Sequence, residues 1–161
     1  MRVLNIHERS LAAPREQVGA LLDGLASPDD ALWPLRLWPR MVLDRPLGVG
    51  AAGGHGPIRY VVEQYSPGES IRFRFTGPPG FDGWHGLEVL TDDGGGSVLR
   101  DTLQMDTHGD AIFTWPVVFR HLHDALIEDA LTQAESALGL PATPRKWSVW
   151  VWILRWVLPR I

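Results

Sequence analysis

The 161 residues include no cysteine, which excludes a disulfide framework, a thiolate metal site and a thiol nucleophile. The first residues, Met1-Arg2-Val3-Leu4-Asn5, lack the apolar stretch of a secretory leader, so a cytoplasmic location is expected. Gly53-Gly54-His55-Gly56 lacks the Lys-Ser/Thr pair of a P-loop, and no G-x-G-x-x-G precedes a helix. That glycine cluster is either a gate over a pocket or a plain connection. A net charge of −4 and the absence of a basic stripe with interleaved aromatics argue against a nucleic-acid partner. Acids are missing from the end of the chain. Four of the 15 basic residues lie after residue 144 and none of the 19 acids does, so residues 1–144 carry −8 and the tail +4.

What is present is globular: 45% hydrophobic and 21% charged residues, enough for one domain with a sizeable core. Residues 2–11 have strand character. A helix opens at Ala13-Pro14, where proline's missing N–H is harmless, and carries Val18, Leu21, Leu22 and Leu25 on one face. Ser27-Pro28-Asp29-Asp30 has the chemistry of a helix start, so a second short helix is expected up to Trp33. Residues 41–44 form a short strand. The five glycines of 48–56 suggest a loop or a glycine-kinked edge. Residues 58–65 and 70–76 make one hairpin, and 82–91 and 97–107 another. A helix of about 25 residues, roughly 38 Å long, closes the pattern over 114–138. It starts at Thr114, or at Asp110 with Pro116 as a kink, and stops at Gly139.

Alternation identifies the inward faces. Ile71, Phe73 and Phe75 point one way with Tyr60 and Val62, while Arg72 and Arg74 point the other. Leu87 and Val89 bring His85 to the apolar side; Leu99, Leu103 and Met105 bring Asp101. On the long helix Trp115, Phe119, Leu122, Leu126, Ala130, Ala134 and Ala137 share a stripe. His123, Asp129 and Gln133 intrude on it, and its alanines predict room above the sheet. His121, Asp124, Glu128 and Glu135 lie opposite, as a solvated face would.

This order resembles the helix-grip fold of the START and polyketide-cyclase-like (SRPBCC) superfamily. The resemblance rests on the first strand, the opening Ala13-Pro14-Arg15-Glu16-Gln17-Val18, the hairpin Tyr60-Val61-Val62-Glu63-Gln64-Tyr65-Ser66-Pro67-Gly68 and the long last helix. It covers residues 1–140 and implies an α+β fold: a curved antiparallel sheet of six or seven strands around the helix, with two short helices after the first strand. It also implies a deep hydrophobic pocket for a lipid, a polyketide or a similar molecule, and supplies no catalytic motif or cofactor.

The expected pocket residues are Tyr60, Phe73, Phe75, Trp84, His85, Leu87, Leu103, Met105, Trp115, Phe119, Leu122, His123 and Leu126. A non-catalytic carrier or sensor of a hydrophobic small molecule is the first reading. An aromatase/cyclase-like enzyme is the alternative, with His85, Asp101, His123 and Asp129 as candidate acids and bases. No metal site is expected: His121 and His123 point about 160° apart on a helix, and His7, His55 and His108 show no ligand spacing. Residues 141–161 are a separate tail holding Trp147, Trp150, Trp152 and Trp156, half of the eight tryptophans. Its 12-residue apolar run over 147–158 is too short to span a bilayer, which takes about 20 residues. The tail either docks on the domain or a second copy (a homodimer through 145–161), or lies in a membrane interface. In the last case it is itself an interaction module.

Overall fold

The computed structural model describes residues 1–92 and 94–158; Asp93 of the second hairpin turn and tail residues 159–161, Arg160 among them, lie outside the described residues. Seven strands form one antiparallel sheet: β1 (Arg2–Leu11), β2 (Val42–Leu43), β3 (Ala52–His55), β4 (Ile58–Ser66), β5 (Ser70–Gly77), β6 (Phe81–Thr91) and β7 (Ser97–Thr107). Their order across the sheet is β1-β7-β6-β5-β4-β3-β2, a meander in which the first strand closes beside the last. Helix α1 (Arg15–Asp23) follows β1.

The second short helix expected after it is absent among the described residues. Asp30 accepts backbone N–H bonds from Ala26, Leu32 and Trp33. It holds this segment as turns, the local competition with helix that aspartate is known for. Residues 52–55 of the glycine-rich loop pair as β3. Gly53 allows this, because a Cβ there would lie 1.9 Å from the Val42 carbonyl oxygen.

The long helix begins earlier than Thr114. It runs as α2 (Ala111–Thr114), a π-helical turn over Trp115–Phe119 and α3 (Arg120–Ala137). Pro116 has no N–H to continue the ladder, and the π turn absorbs the defect without breaking the rod. A last helix, α4 (Val149–Val157), is capped by the Ser148 hydroxyl.

The helix lies against the inward sheet face with two corrections. Glu128 and Glu135, expected in solvent, are buried. They face β1, whose inward row is polar: His7 bonds Glu128 and Asp124, and Arg9 bonds Glu128 and Glu135. Conversely Gln133 and Ala137, placed in the apolar arc, are exposed. The main core gathers α1, the middle strands, α3 and α4, and a smaller cluster of Val3, Phe75, Phe81, Leu103, Met105, Ala111 and Trp115 fills the other end. No helix among the described residues is long and apolar enough to cross a membrane.

Candidate functional site

Between the sheet and the π turn lies a cavity lined by Trp38, His55, Pro57, Ile58, Phe75, Phe81, His85, Leu103, Trp115, Phe119, Leu122, His123 and Leu126. It holds about 520 Å³ of space between atoms, its mouth included, and the ring faces that crowd it leave a narrow slot. A flat ring or a single chain fits such a slot better than a fused polycycle. The π turn matters here because Trp115 and Phe119 both reach the wall from it. The alanines of α3 do not line this space. The gap sits at the Trp115–Leu126 end of the helix instead.

His85 is the polar centre of the slot. Its ring stacks on Phe73 and Phe75 at 5.0 and 5.2 Å and meets Tyr60 edge-on at 5.3 Å. Burial, with His123 and His55 nearby, pushes its pKa well down, so the ring is neutral. Its Nε2 is buried without a hydrogen-bond partner among the described residues, as is the Tyr60 hydroxyl. His55, beside Trp33 at 4.8 Å, is pushed down to about 3 by burial, helped by His123 and Arg59. Both rings border the slot, but its walls are aromatic and offer charge no solvation.

His123 joins this cavity to a second cluster. Its Nε2 is 3.6 Å from Asp101 Oδ2 and its Nδ1 3.9 Å from Asp124 Oδ1, both too long for hydrogen bonds. Asp101 is fully buried on β7, and burial raises its pKa to about 6 against the pull of His123 and His7. On β1, His7 sits opposite Asp101 and donates to or accepts from Asp124 at 3.1 Å and Glu128 at 2.9 Å. Burial opposes its charge, but the bonds to both carboxylates outweigh that and raise its pKa. Asp124 is likewise disfavoured by burial, yet His123 beside it and hydrogen bonds from His7 and Asn5 hold its pKa below the usual range.

Of the expected pocket residues, Phe75, His85, Leu103, Trp115, Phe119, Leu122, His123 and Leu126 lie on the cavity wall. Tyr60, Phe73, Leu87 and Met105 pack in the layers behind it. Trp84 is a correction: it stands on the opposite sheet face, with the Arg72 guanidinium 3.8 Å over its ring. Strand parity demands this, since neighbouring residues His85 and Trp84 cannot both face inward. Asp129 is a second correction. It does not itself line the cavity but stands behind it, accepting the indole N–H groups of the wall residue Trp38 at 2.7 Å and of Trp147 at 2.9 Å. The wall residues missed from sequence are Trp38, His55, Pro57, Ile58 and Phe81. All five sit at a strand end or in a loop, where periodicity has no signal.

The tail packs on the domain. Val151 and Leu154 are buried, Arg155 lies over Trp38 at 4.5 Å and bonds the Leu37 carbonyl, and Trp150 Nε1 donates to the Val117 carbonyl at 2.8 Å.

Neither protein-family models nor curated proteins match this chain. Solved structures do. Norcoclaurine synthase from Thalictrum flavum, in complex with dopamine and hydroxybenzaldehyde, superposes with a TM-score of 0.63 at 14% identity, over 89% of this chain and 90% of that one. A solution structure from Thermobifida fusca gives 0.64 at 14% identity, over 88% and 99%. The protein XoxI from Bacillus cereus gives 0.58 at 16% identity, over 84% and 94%. The architecture the chain shares with these structures is the helix-grip fold. In this helix-grip chain the sheet and the Ala111–Ala137 rod enclose the slot, and α4 is added outside it.

Proposed function

We propose that the chain binds a slender, largely apolar small molecule carrying one hydrogen-bonding oxygen, as a carrier or sensor. The observation that carries this reading is the buried, unpartnered Nε2 of neutral His85 on a wall that, His55 and His123 apart, is aromatic and aliphatic. A buried polar atom without a partner is destabilising by about 1–3 kcal/mol. A hydroxyl or carbonyl on the ligand relieves that penalty while its apolar body fills the slot. A neighbour of the same fold, solved in complex with dopamine and hydroxybenzaldehyde, supports single rings with oxygen substituents as the probes to try. The test is tryptophan-fluorescence titration with hydroxybenzaldehyde, a medium-chain alcohol and toluene. His85→Phe keeps the stack and should weaken the two oxygen-bearing probes about tenfold, one hydrogen bond's worth, while leaving toluene unchanged. Leu122→Trp, checked for folding by circular dichroism, should abolish all three. Equal binding to wild type and Leu122→Trp removes the proposal.

A second reading concerns α4. Trp156 is 83% exposed and Trp152 62%, beside exposed Val149, Ile153 and Val157, with Leu35 and Leu37 on the adjoining loop also exposed. No acid lies in 136–158, and Arg145 and Lys146 precede the helix. This apolar, aromatic and basic face has the chemistry of a helix lying in a lipid interface. Sedimentation with anionic liposomes should fall sharply for Trp152→Ser/Trp156→Ser. Unchanged partitioning, or a concentration-dependent dimer that the same variant abolishes, overturns the membrane reading, the dimer outcome assigning the face to a second copy.

A further inference from the structure

We propose that His7, His123 and Asp124 bind a divalent transition-metal ion of the Zn²⁺ class, a site separate from the apolar slot and sharing only the His123 ring with it. The ligand atoms of these three residues all lie within 4.8 Å of one another. His7 Nε2 is 3.1 Å and His123 Nδ1 3.9 Å from the same oxygen, Asp124 Oδ1. Around a tetrahedral ion with bonds of about 2.0–2.1 Å, ligand atoms stand about 3.3 Å apart. Closing the set shortens the His123 contact, and Asp124 Oδ1 exchanges its 2.9 Å hydrogen bond from Asn5 for the ion.

Both histidines are backed as metal-binding imidazoles are. A ligating histidine normally gives its other ring N–H to a carboxylate, which fixes tautomer and orientation. His7 Nδ1 is 2.9 Å from Glu128 Oε1, and Glu128 is itself held by Arg9 at 2.9 Å and Arg145 at 3.0 Å. His123 Nε2 faces Asp101 at 3.6 Å. Two carboxylates thus stand behind two imidazoles, with a third carboxylate in front of both.

An independent observation points to a ligand. Asp101 is fully buried on the inward face, and neither of its oxygens has a hydrogen-bond partner among the described residues; nor has either nitrogen of His123. Native structures rarely leave such groups unsatisfied. An ion on His123 Nδ1 places the ring proton on Nε2, aimed at Asp101, and draws the ring into one orientation. It supplies the partner that both groups lack. Two imidazoles and one carboxylate suit Zn²⁺ or Co²⁺ far better than Mg²⁺ or Ca²⁺, which take oxygen ligands. Three protein ligands leave one tetrahedral position open, beside a ring that also walls the slot. These ligands come from β1 and from α3, more than 110 positions apart in the chain, so no spacing motif announces them.

The experiment is titration of tag-free, chelator-treated, dialysed full-length protein with Co²⁺, followed by visible d–d absorption, and with Zn²⁺ by calorimetry. One equivalent should bind with tetrahedral cobalt bands. His7→Gln and Asp124→Asn should each weaken binding about 100-fold or more. Asp101→Asn, which touches no ion, should weaken it about 10–100-fold. His108→Ala, on a loop away from the cluster, should change nothing. Circular dichroism verifies folding of each variant. Absence of a saturable equivalent in wild type, or retention of full affinity by both His7→Gln and Asp124→Asn, overturns the site. Binding of the organic probes to chelator-treated protein tests the slot separately, so either reading can fail alone.

Discussion

Replacing Asp129 with alanine should destabilise the protein by about 3 kcal/mol without any involvement in chemistry. One carboxylate oxygen accepts both Trp38 Nε1 and Trp147 Nε1, at 2.7 and 2.9 Å, and the two indoles lie 5.5 Å apart with Arg155 over them. A hydrogen bond to a charged acceptor contributes about 1.5–3 kcal/mol, and a half-buried site takes the lower end of that range for each of the two. For a chain of this length that loss lowers Tm by about 6–12 °C. Asn keeps a neutral acceptor, so Asp129→Asn should lose about half as much. Urea denaturation followed by circular dichroism gives the free energies. The decisive comparison is a cycle: in a Trp38→Phe/Trp147→Phe background, Asp129→Ala should be destabilising by less than about 1 kcal/mol. An undiminished penalty there, or a wild-type-like Asp129→Ala in the first place, would refute the indole-anchor account.

Burial holds His55 neutral down to about pH 3, against about 6.5 in the unfolded chain. Between these values only the unfolded state takes up the proton, so stability falls as pH drops below 6.5 and is insensitive to this group above it. Removing the group in His55→Phe should therefore flatten the urea-midpoint profile by about 1 kcal/mol per pH unit between pH 6 and 4. Glu135→Ala leaves the Arg9 guanidinium, 13% exposed, with Glu128 alone and strips both Thr143 bonds, so about 3 kcal/mol should be lost. Arg9→Met/Glu135→Leu should recover most of it in the same assay. Gly53→Ala drives a Cβ into the Val42 carbonyl, and hydrogen exchange should show β2 and β3 losing protection while β5–β7 keep theirs.

The strands and the long helix were legible because their periodicities are strong. Ile71, Phe73 and Phe75 alternate cleanly with Arg72 and Arg74, and the observed inward face follows that alternation. The misreadings share a cause. Glu128 and Glu135 look like a solvated stripe until β1 is seen to turn Asn5, His7 and Arg9 inward and Leu4 and Ile6 outward. Charge on one element predicts exposure only when no opposite charge on another element meets it, and pairing at a distance leaves no local signature. Asp129 drew attention as a polar intruder on an apolar arc. Its partners, Trp38 and Trp147, lie 91 residues before it and 18 after it, beyond any helical spacing. The alanines of α3 misled for a different reason: small side chains mark where a rod can approach closely as readily as where a void opens.

The bond from the Trp150 indole to the Val117 carbonyl ties the outer helix to the one turn of the rod whose ring pairing is irregular. Flanking that turn are Trp115 and Phe119, both part of the inner wall. If α4 is pulled outward, it must either let go of that carbonyl or drag the irregular turn along. One hydrogen bond thus joins the surface that carries the outer tryptophans to the segment that builds the inner wall.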